Sequence, residues 1–212
     1  MIGMNNVYTR TYRSPKIDRR EILRYAGIIK EAPDIEGVLD ECIAEVERKL
    51  VYRVCYAEFE LKDMPDHLDL GFAKIDSGDL KKHLESCCGI IVFAATVGIE
   101  IDRAIYKYSK LSPAKAVLLQ AIGAERIEAL CDAFCEDMAR EKSLQGAELR
   151  RRFSPGYGDL DLGVQRDIFA ALDCQKRIGI SLNDSLLISP SKSVTAIIGI
   201  DSKNDFMKGL GK

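Results

Sequence analysis

Apolar residues recur at intervals of three and four over residues 19–30 and 35–49, a spacing that predicts two helices in an N-terminal helical part spanning residues 1–50. Pro33-Asp34 marks the start of the second. Residues 51–61 then alternate, with Val51, Cys55, Ala57, Phe59 and Leu61 on one side, and Leu68, Leu70 and Phe72 alternate again after an Asp63-Met64-Pro65-Asp66 turn. That pattern predicts an antiparallel strand pair. Ser77 reads as the cap of a short helix ending near Leu84. Residues 89–96 form an unbroken apolar run, as expected of a strand buried on both faces at the centre of a sheet. Helical spacing returns over 98–108, over 113–140 with Pro113 at the first turn, and over 164–177. A strand over 194–201 and a frayed polar tail over 203–212 complete the reading. Ser189-Pro190-Ser191-Lys192-Ser193 reads as a bulged turn between two strands. The sum is an α+β fold, a mainly antiparallel sheet with flanking helices, in one domain over 1–212.

Composition narrows the function classes. A chain of 212 residues, 47% of them hydrophobic, builds one sizeable core. Its 31 basic and 33 acidic side chains nearly cancel, leaving no broad positive field for a nucleic acid. Residues 1–15 are polar and irregular, and the longest apolar run is too short to cross a bilayer, so a soluble cytoplasmic protein without a membrane partner is expected. Seven cysteines without a Cys-x-x-Cys pair read as reduced thiols. Cys131 and Cys135 fall on one apolar stripe with Ile127, Leu130, Phe134 and Met138, so both read as core residues and no metal site is expected. His67 and His83 read as exposed. No phosphate-binding loop, dinucleotide fingerprint or nucleophile elbow is present.

The candidate chemistry lies in Arg150-Arg151-Arg152-Phe153-Ser154-Pro155-Gly156-Tyr157-Gly158-Asp159. Pro155, Gly156 and Gly158 bend the chain and expose backbone groups, with Tyr157 projecting. An arginine at the mouth of such a turn can hold a carboxylate or phosphate by two parallel hydrogen bonds. The same residues also suit a helix C-terminus rich in arginine followed by an ordinary turn. Asp132 falls on a helix side shared with Glu125, Glu128 and Glu136, which reads as a solvated acidic face, and Glu136 has the spacing to pair with Arg140.

The run from Arg152 through Pro155-Gly156-Tyr157, the helix after it, and Leu182-Asn183-Asp184-Ser185 leading to Pro190 and Ser193-Val194 resemble the activation domain of cobalamin-dependent methionine synthase. Residues 127–134 are similar to that family's long helix. The resemblance implies an S-adenosylmethionine-binding subunit that supports reductive remethylation of cobalamin. The cobalamin would be carried by a methionine synthase or related corrinoid protein, and a flavodoxin-type or other donor would supply the electron. It further implies that Arg152 grips the methionyl carboxylate, that Asp132 approaches the ammonium group, and that the backbone at Ser154 and Gly156 contacts the ligand. Tyr157 would lie near the methyl group and face the corrin. Where the family's last strand bears an adjacent aromatic pair, this chain has Ile198-Gly199, and a family aspartate from the N-terminal part has no counterpart that the sequence identifies. Two rival readings are an interaction module that has lost the ligand, and an independent enzyme using Tyr157 or Asp159 as its acid-base group.

Overall fold

The apolar run at residues 89–96 becomes the middle of a five-stranded antiparallel sheet in the computed structural model, which describes residues 6–28 and 33–202. In chain order the elements are β1 (Tyr8–Tyr12), α1 (Arg19–Tyr25), α2 (Pro33–Val46), β2 (Tyr52–Glu60), β3 (Lys62–Asp63), β4 (Leu68–Asp69), β5 (Lys74–Ile75), α3 (Gly78–His83) and β6 (Cys87–Thr96). There follow α4 (Glu100–Leu111), α5 (Pro113–Leu144), β7 (Ala147–Phe153), α6 (Val164–Leu172), α7 (Cys174–Ile178), β8 (Ser181–Leu182), β9 (Ile188–Ser189) and β10 (Ser193–Ser202). The main sheet runs β1-β2-β6-β10-β7.

Successive side chains of a strand point to opposite faces, so a central strand that is apolar throughout needs cover on both sides. Ile91, Phe93 and Ala95 of β6 pack under α1, α2, α4 and α5, through residues such as Ile22, Leu39, Ile101 and Phe134. Ile90, Val92 and Ala94 pack on the other side under α3, α6 and α7, through Leu80, Ile168 and Cys174. The long α5, with Pro113 at its start, lies along the first face. Ser77 caps α3 by accepting a hydrogen bond from the Leu80 amide, as its position before that helix predicts.

Several expectations need correction. The N-terminal part is not helical alone: β1 pairs antiparallel with β2, Tyr8 opposite Tyr56 and Tyr12 opposite Tyr52. The Tyr-Thr-Arg-Thr-Tyr run favours a strand, but its polarity hides the edge position it takes. β2 does not pair with the segment after it. Buried on both faces, it takes the long partners β1 and β6, and the following residues form only the short ladder β3-β4-β5. The helix over 164–177 is broken at Asp173, which adopts the left-handed conformation (φ 49°, ψ 48°). As expected, the Ser-Pro-Ser-Lys-Ser segment connects two strands, β9, which belongs to a two-stranded ribbon with β8, and β10 of the main sheet. The expected tail at 203–212 and the end of the first helix at 29–30 lie outside the described residues.

Candidate functional site

The three arginines lie on a strand, so the reading as a helix C-terminus is set aside. β7 is the last strand of the sheet and pairs antiparallel with β10, Arg152 opposite Ile198 and Leu149 opposite Ile200. Two residues of β7, Arg150 and Arg151, therefore face Gly199 alone, which is a β-bulge. A Cβ on Gly199 would lie 2.6 Å from Cys87 Sγ, 2.8 Å from Leu84 Cδ2 and 3.1 Å from Arg150 Cγ. An aromatic side chain has no room at that position, so Gly199 is what this packing demands.

Arg152 turns toward α5. Its Nη2 donates to Glu128 Oε2 at 2.5 Å and lies 3.2 Å from Asp132 Oδ1. Its Nη1 is buried and makes no hydrogen bond among the described residues. Burial disfavours the guanidinium charge, but the neighbouring Cys131, Glu128 and Asp132 together outweigh that effect and hold its pKa above the ordinary value. Beside it opens a groove of about 520 Å³ lined by Asp132, Cys135, Glu136, Ala139, Leu149, Ile198 and the three arginines. Burial pushes the Cys135 thiol up to about 11 against the opposing pull of Arg152, so the groove presents a neutral sulfur. Cys131 behind it is fully buried and shifted further in the same direction. Cys131 is the core residue its spacing predicts, whereas Cys135 is half-buried, packed against that core and lining the groove.

A second groove of about 550 Å³ adjoins the first through Asp132 and Glu136, and brings Asp18, Glu21, Glu125 and Glu128 along the seam between α1 and α5. The acidic helix face is thus not uniformly solvated. Glu125 is buried, paired with the equally buried Arg126, and its Oε1 accepts the Asp18 amide at 3.0 Å. Arg126 also donates to the Pro15 and Lys16 carbonyls, fixing the segment that carries Asp18 against α5. Arg140 pairs with Asp137 rather than Glu136.

The turn after β7 lies elsewhere. Phe153, next to Arg152, points to the opposite face of the sheet and packs in the second core. Gly156, at φ 86°, donates its amide to the Leu160 carbonyl at 2.8 Å, and the Tyr157 amide donates to the Ser154 carbonyl at 3.1 Å. Tyr157 is 70% exposed, with its ring edge-on to Phe153 at 5.3 Å. Arg152 and Asp132 therefore meet in one groove, whereas Ser154, Gly156 and Tyr157 do not line it. Asp159 accepts hydrogen bonds from the Ser77 hydroxyl and, at 2.7 and 3.2 Å, from the Gly78 and Asp79 amides. The Ser77 hydroxyl is the main reason its pKa falls below the usual carboxylate value. His83 is not simply exposed: its Nε2 donates to the Arg151 carbonyl at 2.7 Å, and its ring packs on Phe153. His67 meets Asp66 at 2.7 Å. Sequence reasoning missed Glu128, Asp18 and His83. Glu128, one helical turn before Asp132, carried a readable signal.

An antiparallel sheet with helices on both faces, and an arginine paired to helix carboxylates on its edge strand, place the chain in a definite class of domain. The family model described as the vitamin B12 dependent methionine synthase activation domain matches residues 81–208. The chain belongs to that family. Among solved structures it is similar to the crystal structure of the MetH reactivation domain bound to AdoHcy, with a TM-score of 0.65 and 14% sequence identity. The match covers 93% of this chain and 79% of that one, a likeness of fold. No curated protein sequence matches the chain. Among the described residues no helix is long and apolar enough to cross a membrane, and no cluster of metal-ligating side chains occurs.

Proposed function

We propose that this domain binds S-adenosylmethionine in the Arg152 groove and presents it to a cobalamin-bearing methionine synthase or related corrinoid partner for reductive remethylation. The observation that carries this reading is the buried, unpartnered Nη1 of Arg152. A buried donor without an acceptor costs about 1–3 kcal/mol, and a ligand carboxylate in the groove would supply the acceptor. Asp132, well exposed and 3.2 Å from the same guanidinium, is placed to take the ammonium group. The carboxylates of Glu128, Asp132 and Glu136 make the surroundings favourable to a sulfonium cation. Asp18, brought to the adjoining groove by the Arg126 clamp, adds a further carboxylate beside the proposed site.

The ligand supplies the methyl group, the partner's cobalamin receives it, and a flavodoxin-type or other donor supplies the electron. This chain contributes binding and orientation. Tyr157, exposed beyond the end of the groove strand, is the side chain offered to the corrin. A cytoplasmic setting belongs to the same proposal. Use of Asp159 as an acid-base group is disfavoured, because both its oxygens already accept hydrogen bonds. Calorimetric titration of S-adenosylmethionine into the protein tests the reading. Micromolar binding weakened about tenfold or more by Arg152→Ala, roughly 1.4 kcal/mol, supports it. Absence of heat at millimolar ligand overturns the ligand assignment and leaves an interaction module.

A further inference from the structure

The short helix α3 touches the strand and the turn that carry the candidate chemistry at both of its ends. At its start, the Asp159 carboxylate takes the Ser77 hydroxyl and the Gly78 and Asp79 amides, and in return the Asp159 amide donates to Asp79 Oδ2 at 3.2 Å. Gly158, at φ 56°, lets the chain pass so close to Asp79 that an added Cβ would lie 2.4 Å from that carboxylate. At its end, His83 holds the Arg151 carbonyl and packs on Phe153, whose other neighbour is the Tyr157 ring. The Tyr157 side chain makes no hydrogen bond among the described residues. Its orientation is set by the backbone on either side of it and by the edge of Phe153.

We propose that Asp159 is a positioning residue for Tyr157: its carboxylate latches the Gly156–Gly158 turn to α3 and so fixes how the Tyr157 ring is presented to a partner. The functional part of this inference rests on the reading that Tyr157 faces a corrin, whereas the latch does not. Asparagine in place of Asp159 has the same shape and keeps one oxygen for the Gly78 and Asp79 amides while its NH2 turns to the Ser77 hydroxyl oxygen, so the substitution removes the negative charge that strengthens these bonds. The Arg152 groove lies on the other face of β7, separated from the latch by the sheet.

The test combines Asp159→Asn with amide hydrogen exchange over residues 77–80 and 154–160 in the full chain, and with fluorescence anisotropy of a Tyr157→Trp reporter in a protein that has no other tryptophan. Loss of a charge-assisted bond predicts exchange about tenfold faster or more in both segments, and faster reporter motion, with Asp159→Glu partly restoring each. S-adenosylmethionine affinity should stay within about threefold of wild type while partner remethylation falls about tenfold. Unchanged exchange and anisotropy in Asp159→Asn overturn the latch, as does a fall in ligand affinity equal to the fall in remethylation. Should the Asp159 variant fail to fold, Ser77→Ala removes one donor to Asp159 together with the cap of α3, so for that variant the exchange over residues 154–160 alone decides. If Tyr157→Ala leaves remethylation unchanged, it is the corrin-facing reading that fails, and the exchange data still decide the latch.

Discussion

Two arginines of this chain show how little a residue's type says about its work. Arg126 is 1% exposed and fully engaged, with Glu125 beside it and the Pro15 and Lys16 carbonyls at its tip. Arg152 is partly exposed and keeps one buried nitrogen unpartnered. The first closes a structure, and the second keeps a buried donor unused. Arg126→Met should strand the buried Glu125 charge and destabilise the protein by about 3–5 kcal/mol, measured by denaturant unfolding. The double change Glu125→Gln with Arg126→Met should recover most of that loss, because the cost lies in the uncompensated charge. Arg126 and Glu125 were illegible beforehand, since adjacent charges on a helix flanked by other acids look like solvent-facing residues. Asp132 and Arg152 were legible only through the family resemblance, because nothing local says that a helix carboxylate and a strand arginine about twenty residues apart will meet.

At the scale of elements, the β7–β10 pairing decides the shape of the groove. The bulge at Gly199 turns Arg150 and Arg151 away from regular register and holds Arg152 over α5. Gly199→Ala should cost about 1–3 kcal/mol of stability by forcing Cys87 and Leu84 aside, and Gly199→Phe should prevent native packing, both read by thermal unfolding. The apolar run of β6, the capped α3 and the long α5 were legible because each is a strong local pattern: continuous burial, a cap, a 3.6-residue period. β7 was not, because three successive arginines obscure strand alternation. The break between α6 and α7 was also hidden, since Asp173 enters the left-handed region without a glycine to announce it. The rule that failed most plainly is adjacency. Alternation and the intervening turn point β2 toward the segment that follows it, but its partners come from residues 8–12 and 87–96, and pairings of that kind are set by burial on both faces rather than by turn signals.

For the whole molecule, one sheet is the floor of two cores, so the helices of opposite faces share β6 as common support. Phe93, fully buried and 4.8 Å from the Phe134 ring, belongs to the first core alone. Phe93→Ala should nevertheless lower the stability of both layers by about 3–5 kcal/mol in a single cooperative transition. Hydrogen exchange in α5 and in α6 should rise by the same factor, and independent melting of the α6–α7 layer would contradict a single folding unit. The sheet ends at β7, whose outer edge meets no further strand among the described residues. A bare edge is a template on which a second molecule can extend the ladder, and natural proteins guard such edges with charge. Glu148, Arg150 and Arg151 stand exposed along this one. Arg150 is paired with Asp201 on the neighbouring strand, which leaves Arg151 as the main guard, so Arg151→Val should raise light scattering of the concentrated protein, and added salt should do the same to the wild type by screening.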